Sequence, residues 1–261
     1  MMNKTDFYGS FASVYDLFRD NVDYESWCRH IVKVLQRYGI QDGLVCELGC
    51  GTGIMTELLS RAGYDMIGID CSEEMLTEAM EKKVLSGQDI LYLLQDMREF
   101  ELYGTVKAVI CILDSLNYMT EEEDLLKVFR LVNNYLDPGG LFLFDINTEY
   151  KYRELLGNRA IVEQREEGSF IWENDYDSES GIHEYAITLF LPAENGLYEK
   201  HEEFHYQKAW TPSQVTEMLV KAGLQVEGIY EAYTDSPPEK RGERLLFIAR
   251  EKDKESGRKA E

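Results

Sequence analysis

The nine residues Val45-Cys46-Glu47-Leu48-Gly49-Cys50-Gly51-Thr52-Gly53 restrict the possible folds more than any other part of the chain. Leu44 to Leu48 is a short apolar, strand-forming run, and a helix-like segment follows from Ile54 to Arg61. Between them three glycines alternate. Glycine opens backbone conformations closed to other residues and leaves no Cβ to hold a ligand at a distance. At a turn from a parallel strand into a helix, such a backbone lies beside the free N–H groups and positive dipole end of the helix start. The stretch therefore predicts an α/β chain with a nucleotide-type cofactor at this turn.

The rest of the first half agrees. Asp65 to Asp70 reads as a second strand ending in a carboxylate, and Ser72 caps a helix from Glu73 to Leu85 with acidic residues in its first turn. Ile90 to Leu94 is a third strand, ending at Gln95-Asp96-Met97. Val106 to Leu113 is a fourth, followed by Asp114-Ser115-Leu116-Asn117-Tyr118. A helix from Glu121 to Tyr135 is expected to stop at the turn Asp137-Pro138-Gly139-Gly140, before a fifth strand over Leu141 to Ile146. Strands alternating with helices argue for a doubly wound, mostly parallel sheet. From 150 to 210 the pattern changes to a meander of two-sided strands with turn signals at Ser180-Gly181 and Asn195-Gly196. Thr211-Pro212 opens a last helix, and Gln225 to Tyr233 and Arg244 to Ala249 end the sheet as an antiparallel pair.

A dinucleotide fingerprint would read G-x-G-x-x-G, whereas Gly49, Gly51 and Gly53 give G-x-G-x-G behind Glu47. Asp70 ends the next strand, where a carboxylate can accept both ribose hydroxyls, and Asp96 with the Met97 amide ends the third, where they can read an adenine edge. All these groups fall at carboxyl ends of adjacent strands, the ligand crevice of such a sheet.

Taken together, Glu47-x-Gly49-x-Gly51-x-Gly53, Asp70, Asp96-Met97, Leu113 to Asn117 and Leu136 to Gly140 resemble the class I S-adenosylmethionine-dependent methyltransferases. Tyr8-x-x-Phe11-Ala12-x-Val14-Tyr15-Asp16 and Asp23-Tyr24-x-x-Trp27 are similar to the bacterial small-molecule branch, including sugar N-methyltransferases and glycine N-methyltransferase-like enzymes. The resemblance implies a seven-stranded Rossmann-like core over 40–148 and 211–250, an N-terminal helical cap over 1–39 and an antiparallel β insertion over 149–210. The insertion would be a substrate lid or the contact of a homodimer, and the charged tail 251–261 would be disordered. It implies that Gly49, Cys50 and Gly51 pass beside the amino-acid part of S-adenosylmethionine, with Glu47 fixing the turn. Asp70 would hold the ribose, Cys71 and Met75 would lie close to the adenine, and Asp96 and Met97 would bind it. Leu113 and Asn117 would line the sulfonium and substrate side, and Tyr8, Tyr15 and Trp27 would close the pocket.

The acceptor is less legible. The insertion carries Phe170, Trp172, Tyr176, Tyr185, Phe190, Phe204, Tyr206 and Trp210, which could cage an amine or stack on a planar substrate. The plainer reading, that they are the sheet's own apolar face or a dimer contact, is preferred. His201, Glu203 and His205 alternate and so share one strand face. That face is a base with its carboxylate, a metal pair or, in preference, a solvated surface. If a base is used, His205 with Tyr118 is the expected pair, and no metal is expected.

Forty-nine acidic against 27 basic residues give a formal charge of −22, a field that repels a phosphate backbone. No nucleic-acid partner is expected. Five cysteines without a CxxC pair, no apolar leader and no long uncharged run point to a cytoplasmic protein away from the membrane. The expected function is methyl transfer to the amine or hydroxyl of a small molecule. The alternatives are methylation of tRNA or protein and a non-catalytic cofactor-binding protein; the glycine spacing argues against a nicotinamide oxidoreductase.

Overall fold

The computed structural model describes residues 22–252 and 254. Tyr8, Tyr15 and the helix expected before residue 22 lie outside the described residues. Helix α1 (Tyr24–Arg37) is capped by Asp23, whose side chain accepts the Ser26 N–H. Strands and helices then alternate as β1 (Gly43–Leu48), α2 (Ile54–Arg61), β2 (Tyr64–Asp70), α3 (Glu73–Ser86), β3 (Ile90–Leu94) and β4 (Val106–Cys111). A 3₁₀ turn (Ser115–Tyr118) leads to α4 (Glu122–Tyr135) and β5 (Leu136–Asn147). The insertion supplies β6 (Ala160–Gln164), β7 (Ser169–Asp177), β8 (Ile182–Pro192) and β9 (Tyr198–Lys208), before α5 (Pro212–Lys221), β10 (Leu224–Glu231) and β11 (Arg244–Glu251) close the chain.

The main sheet runs β10-β11-β5-β4-β1-β2-β3, with β11 antiparallel to both neighbours and the remaining paired strands parallel. This is the expected Rossmann-like sheet. The second sheet, β6-β7-β8-β9, is an antiparallel meander. Both Asn195 and Gly196 adopt positive φ, 63° and 71°, matching the twist of a tight hairpin. Apolar side chains cover both faces of the main sheet. On one, Phe129 and Val132 of α4 and Met218 and Leu219 of α5 meet Phe142, Phe144 and Phe247; on the other, Ile31, Leu35, Met55 and Leu59 meet Val45, Ile110 and Leu143. Among the described residues no helix is long and apolar enough to cross a membrane.

Two expectations are corrected. Asp137 to Gly140 do not separate a helix from a strand that starts later. β4 pairs Val106 with Leu136 and then Ala108 with Leu141, so these residues bulge out within β5. Nor is the whole of 251–261 a loose tail. Glu251 is the buried last residue of β11, and Lys254 Nζ donates to the carbonyls of Asn133, Asn134 and Leu136. A cation at the carboxyl end of α4 satisfies acceptors the helix leaves open.

Candidate active site

The glycine turn is built as its residues require. Gly49, Gly51 and Gly53 have φ of 68°, 52° and 77°, the left-handed region that costs a side-chain-bearing residue about 1–2 kcal/mol. The reasons for glycine differ. A Cβ at Gly49 would meet Ser115 Oγ at 2.7 Å, and one at Gly53 would strike the Tyr92 hydroxyl. A Cβ at Gly51 would meet nothing within 4 Å, because the backbone there borders open space. Gly51 N–H donates to Asp70 Oδ2 at 2.8 Å and Ser72 N–H to Asp70 Oδ1 at 2.9 Å, joining the turn to the end of β2. The start of α2 carries no side-chain cap.

Glu47 is buried and accepts a hydrogen bond from Thr56 Oγ1, which pins the turn to α2. Burial pushes its carboxyl up to about 8, with the Thr56 hydrogen bond opposing and Asp70 adding. Burial raises Asp70 as well, against the backbone N–H groups of Ser72 and Gly51. A cation at this end of the sheet would offset the cost of ionising both. A ligand with a sulfonium, an ammonium and a ribose thus fits the residues present.

Met75 is buried beneath Ser72, whose hydroxyl caps its N–H at 3.1 Å, and the neighbouring Cys71 is exposed. Met97 Cε lies 3.4 Å from where a Gly49 Cβ would stand, so this side chain reaches the turn. Asp96 is held by Arg98, which donates from Nε and Nη2 at 2.9 and 2.5 Å and reaches on to Asp124 at 3.2 Å.

After β4 the chain makes a strained turn. Leu113 and Asp114 have φ of 57° and 56°, a conformation that persists only where surroundings enforce it. Asp145, inside β5, supplies that enforcement by accepting the N–H groups of Leu113 and Asp114 at 2.9 and 2.7 Å. Arg244 bridges the two carboxylates, Nη1 to Asp145 at 2.6 Å and Nη2 to Asp114 at 2.5 Å, and the Tyr233 hydroxyl donates to Asp145. Gln207 of β9 donates to the other Asp114 oxygen at 2.7 Å. Asn117 stands behind this turn, fully buried. Its amide donates to the Lys208 and Asn147 carbonyls and accepts the Asn147 N–H, which fastens β5 to β9, so it does not line the substrate side as expected.

The turn floors a cavity of about 840 Å³ between the carboxyl ends of the main sheet and the insertion. Leu113, Asp114 and Arg244 border it from below. Trp27 and Tyr233, stacked at 4.0 Å, close one side, with the Arg244 guanidinium 5.7 Å from the Trp27 ring. Phe170, Trp172 and Tyr185 of the insertion form the roof. The preferred reading of the aromatics holds in part, since the sheet's own apolar face, with Ile187 and Leu189, is made by Phe170, Trp172 and Tyr185. These three line the cavity, Phe204 and Tyr206 are exposed on the opposite face of the sheet, and Trp210 is buried with its Nε1–H on the Met119 carbonyl.

The preferred reading of the alternating face is overturned. Glu203 and His205 are buried rather than solvated, because β9 turns them toward the main sheet. Only His201 keeps partial exposure, 3.7 Å from Glu199. Tyr118 and His205, 87 residues apart, meet at 3.2 Å. Among the described residues no group of three or more His, Cys, Asp or Glu side chains could hold a metal ion.

His183 is fully buried with Nε2 3.0 Å from Asn174 Oδ1 and its ring stacked on Tyr152. Burial pushes its imidazole down to about 4 from 6.5, with Asp114 opposing. The unfolded chain therefore binds a proton near pH 6.5 that the folded chain refuses until about pH 4. The contribution of this group is present above pH 6.5 and is lost as pH falls toward 4, by up to about 3 kcal/mol. His183→Gln, which keeps a donor to Asn174, is expected to flatten that loss. Thermal unfolding of both proteins between pH 7 and 4 tests it, and parallel curves would refute it.

Asp145, Arg244, Tyr233 and Gln207 were not singled out for the site from the sequence. The available signal was Asp145 itself, a carboxylate in the middle of the apolar run Leu141 to Ile146, which demands a buried partner.

Residues 45–140 match a family model described as a methyltransferase domain. The chain is 35% identical over 246 residues to the putative methyltransferase YqeM of Bacillus subtilis, covering 93% of this chain and 96% of that protein. It is 24% identical to the dTDP-3-amino-3,4,6-trideoxy-alpha-D-glucopyranose N,N-dimethyltransferase of Streptomyces venezuelae, over 91% of this chain and 96% of the relative. A crystal structure of an S-adenosylmethionine-dependent methyltransferase from Clostridium acetobutylicum superimposes with a TM-score of 0.85 at 30% identity, covering 94% of this chain and 99% of that one.

Proposed function

The chain belongs to the class I S-adenosylmethionine-dependent methyltransferases, and we propose that within this family it methylates an amine or hydroxyl of a small molecule. When bound, S-adenosylmethionine supplies a methyl carbon activated by its sulfonium. Gly49, Cys50 and Gly51 would hold its amino-acid part, Asp70 its ribose, and Asp96 and Met97 its adenine, beside Met75 and Cys71. Leu113 and Asp114 then carry the acceptor side at the end of β4, with Trp27 closing it. The main tasks of these residues are alignment and exclusion of water, worth up to about 7–11 kcal/mol in well-oriented cases.

The observation that carries the acceptor class is the cavity. Its volume of about 840 Å³ lies within the roughly 300–1,000 Å³ of small-molecule sites, and aromatic side chains roof it. The relative named as an amino-sugar N,N-dimethyltransferase supports the same class. The formal charge of −22 disfavours an RNA substrate.

Calorimetric titration is expected to give micromolar binding of S-adenosylmethionine and S-adenosylhomocysteine and none of NAD. Labelled methyl groups should then appear on members of a panel of amines, amino sugars and phenols. Transfer to bulk tRNA or protein, with none to the panel, would overturn the small-molecule reading.

A further inference from the structure

We propose that Tyr185 takes the proton that the acceptor loses, and that Tyr118, His205 and Glu203 form the relay behind it; this rests on the small-molecule reading above. Tyr185 is the member of the group that lines the cavity. Its hydroxyl lies 2.5 Å from that of Tyr118, Tyr118 Oη lies 3.2 Å from His205 Nδ1, and His205 Nε2 lies 3.3 Å from Glu203 Oε2. Regular structure carries the group. Tyr185 and His205 are cross-strand partners in β8 and β9 with rings stacked at 4.7 Å, and Tyr118 ends the 3₁₀ turn that follows the strained Leu113–Asp114 pair.

The order of donors follows from the carboxylate outward. An ionised Glu203 only accepts, so His205 carries its proton on Nε2 and leaves Nδ1 as an acceptor. Tyr118 then donates to Nδ1, and Tyr185 donates to Tyr118. When an acceptor O–H or ammonium N–H bond breaks, its electron pair stays on the acceptor as the nucleophile. Its proton goes to Tyr185 Oη as the Tyr185 proton moves to Tyr118 and the Tyr118 proton to His205 Nδ1. Both tyrosines end neutral, and the imidazolium is balanced by Glu203. A tyrosine acting alone, with an ordinary pKa near 10, would have to ionise before it could take a proton from the acceptor; the relay removes that requirement. Asp114, which borders the cavity along with Glu231 at the end of β10 and Glu239 and Glu243 of the β10–β11 connection, is already engaged by Arg244 and Gln207.

Packing alone does not account for the group. Beside it the same sheet face carries Ile187 and Leu189, and apolar residues would fill the space without the cost of burying Glu203 and His205. The relay also narrows the acceptor to one that arrives with a proton to lose, such as an alcohol, a phenol or an ammonium group.

The test compares two phenols of the same shape, one ionised at the assay pH and one not. Tyr185→Phe is expected to lower kcat on the protonated phenol by about 10²–10⁴-fold, with KM and calorimetric affinity for S-adenosylmethionine unchanged, and to leave the ionised phenol nearly unaffected. Equal losses on both would mean a packing role and overturn the proposal. Tyr118→Phe should repeat the selective loss and serves if Tyr185→Phe does not fold. Nitrogen NMR of histidine-labelled protein, with His205 identified among the four histidines by His205→Phe, should place its proton on Nε2. A proton on Nδ1 would reverse the donor order and overturn the relay whether or not any panel acceptor is methylated, whereas failure of the whole panel with the expected tautomer would count against the acceptor class instead.

Discussion

Replacing Gly51 by arginine is expected to abolish S-adenosylmethionine binding while leaving the fold standing. Of the three glycines in the turn, Gly51 combines a left-handed backbone, φ 52°, with open space where a Cβ would go. A side chain at Gly49 or Gly53 would collide with Ser115 or Tyr92, and loss of binding there would be confounded by damage to the turn. At Gly51 the Cβ of the substituted residue meets no protein atom within 4 Å. The cost to folding is then the left-handed strain, about 1–2 kcal/mol, or roughly 2–8 °C in Tm for a chain of this size. The cost to binding is occupation of the space by a cationic side chain where the ligand brings positive charge. Calorimetry should detect no binding heat, and Gly51→Ala should fall between the variant and the parent. Unchanged affinity in Gly51→Arg, with a normal melting transition, would remove the glycine turn from the site.

Much of the frame was legible because it is written in local pattern. The strand-glycine-helix order, the carboxylates ending β1 and β2, the Ser72 cap and the Thr211-Pro212 start of α5 each depend on residues a few positions apart, and each is found where the spacing put it. The bulge over Asp137 to Gly140 was misread because a Pro-Gly-Gly run signals a turn without saying whether the neighbouring strand pairs on both sides of it. The alternation of His201, Glu203 and His205 established a common face, but alternation has no sign. Which face turns inward is decided by the register of β8 against β9 and by the main sheet beneath them. The same register brings Tyr185 beside His205, a pairing that no spacing rule contains. The strained turn was hidden for the same reason. Leu113 and Asp114 are ordinary residues in sequence, and what holds them left-handed is Asp145, 31 and 32 residues on, together with Arg244, 99 residues beyond Asp145.

That buried pairing is expected to be among the most sensitive points of the fold, and Arg244→Met is expected to destabilise the protein by about 3–5 kcal/mol. Arg244 reaches Asp114 and Asp145 at 2.5 and 2.6 Å, and its side chain and both carboxylates are almost wholly removed from solvent. Methionine fills much of the volume but supplies no charge, so two carboxylates are stranded in a medium that penalises them. At roughly 2–4 °C per kcal/mol for domains of this size, Tm should fall by about 6–20 °C. Asp145 would still have the Leu113 and Asp114 N–H groups, so the turn is strained but not released at once. Asp145→Asn introduced into the Arg244→Met background removes one stranded charge and keeps an oxygen for those N–H groups. It should therefore recover part of the loss, although Asp145→Asn alone is destabilising. A double-mutant cycle on thermal or denaturant unfolding measures this directly, with a coupling of about 0.5–3 kcal/mol expected for groups in one network. If Arg244→Met melts within a degree or two of the parent, or if the two substitutions simply add, the ion network is not what holds the cavity floor. The left-handed turn at the end of β4 would then have to be enforced by the packing of Leu113 and Trp27 alone.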